Sequence, residues 1–109
     1  SSTSRGLGDV YKRQEQDHAD RIAERIVQLN GSPNFNPATL TARSHAEYDD
    51  SDDVQAMIRA DLIAERVAIE SYRQMIQAIG DKDPTTSKML TDIMAVEEEH
   101  ADDMRDLLA

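Results

Sequence analysis

The chain contains no cysteine, no apolar run near membrane-span length, and few basic residues for its size. Without cysteine, disulfides and thiolate metal sites are excluded, so any metal centre must draw on Asp, Glu and His. A membrane span needs roughly 20 consecutive apolar residues, and none is present. The start lacks the apolar core of a signal peptide, so a cytoplasmic location is expected, with no membrane partner. Twelve Lys and Arg face 22 Asp and Glu, a net charge of -10. That balance argues against a basic nucleic-acid surface. It is compatible with attracting cations, although acidic surfaces more often serve solubility. The length of 109 residues suits one small domain.

The first 14 residues stand apart. SSTSRGLGDVYKRQ shows no helical period, and its charge is +2 (Arg5, Lys12 and Arg13 against Asp9). Residues 15–109 carry nine basic and 21 acidic residues, or -12. GLGDVYKRQ also resembles translated adapter sequence, so 1–14 are expected to be a non-native or disordered tail, and 15–109 the domain.

Three helices are expected in 15–109. The first, Glu15 to Asn30, carries Ala19, Ile22, Ile26 and Leu29 at three- and four-residue steps, with Gly31 as its C′ residue. About 20 residues rich in Ser, Pro, Asn and Thr follow, to Asp50, and Pro33 and Pro37 break any helix there. The second helix, Asp52 to Ile79, carries Ile58, Leu62, Ala68, Ile69, Tyr72, Ile76 and Ile79, with Ser51 as a cap. Gly80 ends it. Asp83 then reads as the N-cap of the third helix, with Pro84 at its first position. That helix aligns Leu90, Ile93, Met94, Ala101, Met104 and Leu108. The tight turn makes the last two helices antiparallel. The long connection, able to span up to about 66 Å, can cross a whole bundle and leave the first two helices parallel.

Five ionisable residues interrupt these apolar stripes: Glu15 and His18, Glu65, Glu97 and His100. A carboxylate in an apolar interior is costly unless paired or bound to metal. Glu15-Gln16-Asp17-His18 and Glu97-Glu98-Glu99-His100 share the form Glu-x-x-His, in which i and i+3 face one way. Glu65 lies 17 residues before Lys82, in the turn; Glu97 and His100 lie 15 and 18 after it. Glu15 and His18 lie 15 and 12 residues before Asn30, and Glu65 lies 14 before Ile79. With parallel, flush first helices, all five share one layer.

This constellation matches the known template of ferritin-like di-iron bundles, Glu-x-x-His on two helices and a single Glu on each of two others. EQDHADRIAERIVQLNGSPNF, DLIAERVAIESYRQMI and AVEEEHADDM resemble the second, third and fourth helices of bacterioferritin-type proteins. The resemblance implies an all-α fold, a ferritin-like four-helix bundle with its first helix missing. It implies Glu15 and Glu97 as bridging ligands of two irons, with His18, Glu65 and His100 as terminal ligands. A further Glu is expected from a helix ahead of Glu15. The implied activity is Fe(II) oxidation by O2 or H2O2 for iron storage or detoxification, in a homo-oligomer. Haem is not expected, because Gln16 stands where haem-binding relatives carry methionine. With no residues for a short fifth helix after Ala109, a 24-subunit shell is not expected either.

The alternatives are a non-catalytic metal-binding or stress-protecting bundle that oligomerises, and a metal-free interaction domain with internal salt bridges to Arg25 or Arg66. Glu98 and Glu99 read as a solvated face. Glu70 and Asp61 lie off the layer, and His45 and Glu47 fall in the connection. Met57, Met75, Met89, Met94 and Met104 read as core filler, and Tyr72 as a packed aromatic with one polar tip.

Overall fold

A computed structural model describes residues 2–34 and 53–109. The described residues contain three helices and no strand: α1 (Ser2–Gln28), α2 (Val54–Ile79) and α3 (Pro84–Leu108). The chain falls into two compact units, Ser1–Pro37 and Ala38–Ala109. The expected crossover over 31–50, with Ser51, His45 and Glu47, lies almost wholly outside the described residues.

In the first unit, α1 starts at Ser2, thirteen residues before Glu15, and so takes in most of the stretch whose pattern was not helical. Gly6 and Gly8 weaken that stretch, but it holds no proline. Each residue added to an existing helix gains a hydrogen bond without a new nucleation cost. Val10 is 43% exposed and Tyr11 half-buried, so little apolar burial supports it. The far end is defined by backbone geometry. Asn30 donates to the Val27 carbonyl at 2.9 Å and Gly31 to the Ile26 carbonyl at 2.8 Å. These are the two bonds of a Schellman closure. The left-handed C′ residue is therefore Asn30, with φ 67°, and the expected C′, Gly31, sits one place later. Asparagine tolerates that conformation through its short polar side chain. Gly31 is needed for space: a Cβ there would stand 2.7 Å from Ile26 Cγ2. Ile22 and Ile26 are half-buried as expected, whereas Ala19 and Leu29 are exposed. Leu29 follows the last helical residue and has left the stripe.

In the second unit, α2 and α3 pack as an antiparallel helical hairpin. Asp53 caps α2, accepting from the Gln55 amide at 2.9 Å and the Ala56 amide at 3.4 Å. The helix thus begins at Val54, just inside the expected start at Asp52. Gly80 closes α2, with φ 58° and ψ -129°. Its amide donates to the Ile76 carbonyl at 3.0 Å, and the Lys82 amide donates to Ile79 at 3.1 Å. Those angles are those of the first central residue of a type II′ turn, which glycine dominates. Asp83 then caps α3 as expected, accepting from the Thr86 amide at 3.1 Å, with Pro84 in the first turn.

Buried residues on α3 are Leu90, Ile93, Glu97, His100 and Met104. Their spacing is three, four, three, four, the heptad period of helices packed along one seam. On α2, Leu62 and Ile69 are buried, and Ile58, Glu65, Tyr72, Ile76 and Ile79 are half-buried along the same period. Burying a Leu or Ile side chain contributes about 1.5–3 kcal/mol, so the apolar members of the seam can offset polar ones. Met104 is core and Met89 and Met94 are half-buried, but Met57 and Met75 are 45% and 41% exposed rather than core. Both lie about 120° around α2 from the line of Leu62, Ile69 and Ile76.

Candidate metal centre

The seam places the polar residues as well as the apolar ones. Positions 93, 97, 100 and 104 fall on one line of α3, so the geometry that buries Ile93 and Met104 also buries Glu97 and His100. Glu97 is 1% exposed and His100 3%. Glu97 Oε2 stands 3.7 Å from His100 Nδ1, the pairing expected from i and i+3 on a helix. From α2, Glu65 takes the seam position between Leu62 and Ile69. Glu65 Oε2, Glu97 Oε2 and His100 Nδ1 are all withdrawn from solvent. One ligand atom each from Glu65, Glu97 and His100 lies within 4.8 Å of the others.

The donor chemistry fits a transition-metal cation. Nitrogen or oxygen ligands sit about 2.0–2.2 Å from a first-row ion, so two of them on opposite sides are about 4.0–4.4 Å apart. Donors already within 4.8 Å need only a small side-chain adjustment to share one ion. Two carboxylates and an imidazole suit iron, manganese or zinc. Two carboxylates drawn into a dry seam repel one another, and a divalent cation between them neutralises that charge.

Three of the five expected residues are therefore brought together within the α2–α3 unit. The other two, Glu15 and His18, lie one turn apart on a single face of α1, where His18 is 7% exposed and Glu15 is exposed. Gln16, next to Glu15, donates to Asp20 at 3.0 Å on the exposed side of α1.

The residues set aside behave accordingly. Glu98 and Glu99 are exposed, and Glu70 is exposed and paired with Arg73. Tyr72 is half-buried on the seam. Asp61 lies one turn before Glu65; its side chain is exposed overall, yet partial desolvation raises its carboxyl above the usual range. That perturbation follows from neighbouring atoms, and the residue pattern carries no signal for it.

A ferritin-like domain model matches residues 9–109. Among solved structures, the chain is similar to a dodecameric thioferritin, the bacterioferritin-related protein from Bacteroides fragilis. The two are 29% identical with a TM-score of 0.90, over 98% of this chain and 65% of that one. It is also similar to a Dps1 mutant from Mycobacterium smegmatis, at 27% identity and a TM-score of 0.84, over 93% of this chain and 69% of that one. The chain thus spans about two thirds of the length of each.

Proposed function

Because the chain belongs to the ferritin-like domain family, we propose that it binds iron and oxidises Fe(II) to Fe(III) at a carboxylate-bridged pair of irons, in the service of iron storage or detoxification. The observation that carries this reading is Glu97, a carboxylate 1% exposed in an apolar seam, with donor atoms of Glu65 and His100 within 4.8 Å. The family and the two structural neighbours support iron storage in general.

In this reading Glu97 and Glu15 would be the carboxylates shared by the two ions, and His18, Glu65 and His100 would each hold one of them. The level of Glu15 and His18, counted along the sequence, is what assigns them to the layer. The iron pair, when bound, supplies the electrons that reduce O2 or H2O2. The chain's own part is positional. Glu97 is held by its seam neighbours Ile93 and Met104, and His100 keeps Nδ1 turned toward Glu97 Oε2. The apolar residues on either side keep bulk water from competing for the donors. The 12 basic against 22 acidic residues give a field that favours arrival of Fe(II). The dodecameric state of one neighbour supports a homo-oligomer, and no helix of the described residues is long and apolar enough to cross a membrane. We place the protein in the cytoplasm on the same reading.

The test is aerobic Fe(II) oxidation. Glu97→Ala is expected to lower the rate beyond the roughly 10–100-fold cost of losing a residue that only supports a ligand. Glu98→Ala, on the solvated side of the same turn, is expected to leave it unchanged. Loss of oxidation in Glu98→Ala with full activity in Glu97→Ala would remove the site assignment.

A further inference from the structure

The chain contains three asparagines, and they are chemically unequal. Asn34 precedes the bulky Phe35. Asn36 precedes Pro37, which has no backbone N–H. Asn30 precedes Gly31, and both residues are exposed. We propose that Asn30 is a site of spontaneous deamidation whose rate is set by opening of the Schellman closure of α1.

The reaction needs only water. The Gly31 backbone nitrogen attacks the Asn30 side-chain carbonyl carbon, Cγ. The N–Cγ bond forms, the Cγ–Nδ2 bond breaks, and the amide nitrogen leaves as ammonia, carrying the proton lost from Gly31. The resulting five-membered succinimide is then opened by water at either carbonyl, giving aspartate or isoaspartate. No side chain on Gly31 shields the attacking nitrogen, which sets Asn30 apart from Asn34.

The native structure restrains the same step. The Gly31 N–H donates to the Ile26 carbonyl at 2.8 Å, so the nucleophile is occupied. Asn30 is fixed at φ 67° while its own N–H donates to Val27 at 2.9 Å. For attack, Gly31 must release Ile26 and turn toward the Asn30 side chain. These are the last bonds of the helix, and helix ends open far more often than the whole fold does. Conversion therefore reports the opening of this end. The product does not return to the starting state. Aspartate places a negative charge at the negative pole of the helix. Isoaspartate adds a backbone carbon, so the bonds to Val27 and Ile26 can no longer form together.

The experiment ages the full chain at mildly alkaline pH, in native buffer and in urea, and follows each asparagine by peptide mass spectrometry with separation of isoaspartate. Asn30 is expected to convert ahead of Asn34 and Asn36 in both conditions, and at least about tenfold more slowly in native buffer. Glu24→Gly, at an exposed interior position of α1, is expected to speed native conversion by about fivefold and to leave the urea rate unchanged. Equal native and urea rates would overturn the proposal, as would prior conversion at Asn34. A native rate indifferent to Glu24→Gly would remove the helix end as the controlling element.

Discussion

The two Glu-x-x-His segments are the same four-residue pattern on two helices, and they end in different environments. On α3, Glu97 and His100 are buried between Ile93 and Met104, at 1% and 3% exposure. On α1, His18 is buried but Glu15 is exposed, and the helix upstream offers Tyr11 and Gln14 rather than a run of Ile and Leu. The pattern fixes which way the two side chains face; their neighbours at steps of three and four decide how far they are withdrawn from water. A short motif thus specifies orientation, and a heptad specifies environment.

The sharpest way to break that comparison is to make both carboxylates apolar and remove metal. Glu97→Leu replaces a buried carboxylate with an apolar side chain of similar size. The exchange removes a carboxylate from a dry seam, with its desolvation cost and its repulsion with Glu65, so the thermal midpoint in chelator should rise, by roughly 4–8 °C for each kcal/mol. Glu15→Leu, at an exposed position, should move it little. A fall in the midpoint of Glu97→Leu would show that the carboxylate holds the seam together without metal.

The two helix ends extend the contrast. Asn30 adopts its left-handed φ at modest cost, whereas Gly80 at ψ -129° lies where other residues are strongly disfavoured. Gly80→Ala is expected to cost about 1–3 kcal/mol, read as a lower urea midpoint with unchanged slope. A wild-type midpoint would mean that the turn relaxes without penalty.

The caps rank next. Asp83 accepts from both the amide and the hydroxyl of Thr86, and Asp53 from two amides in a more exposed setting. Replacing either by Ala should cost about 0.5–2 kcal/mol, with Asp83 toward the upper end. Equal losses in chemical denaturation would show that the hydroxyl contact adds nothing.

The smallest effect is expected at Asp61. Its carboxyl is raised by desolvation; the folded state disfavours its charged form. The resulting penalty is present at neutral pH and fades as pH falls through the raised folded value. Asp61→Asn should therefore be marginally more stable than wild type at neutral pH, and the gap should close in acid, in paired melts. A gap that widens in acid would mean the shift has the opposite sign.

Much of the α2–α3 unit is legible in the sequence because its punctuation is chemical. Gly80, Asp83 and Pro84 each suit one backbone role, and the structure uses them in those roles. Glu97 and His100 were readable because they fall on a line of Leu90, Ile93 and Met104. Other features depended on competition between near-equal options. Asn30 and Gly31 can both adopt a left-handed φ, and the register of the closing bonds to Val27 and Ile26 places it on Asn30. Ser51, Asp52 and Asp53 are all capable caps, and Asp53 is the one that binds the first-turn amides. The start of α1 at Ser2 leaves no mark in the residue pattern, because helix extension needs no apolar period, only the absence of a breaker. Met57 and Met75 are exposed because helical phase, which residue type does not carry, turns them off the seam.

The type II′ turn at Gly80 also has a meaning in time. Two helices joined by so tight a turn make most of their contacts within each helix, and chains rich in such local contacts fold at the fast end of the range. Glu65, Glu97 and His100 all belong to that hairpin. A cation present during folding would find these three donors arranged early, and by binding only the closed form it would pull the hairpin's own equilibrium toward closure.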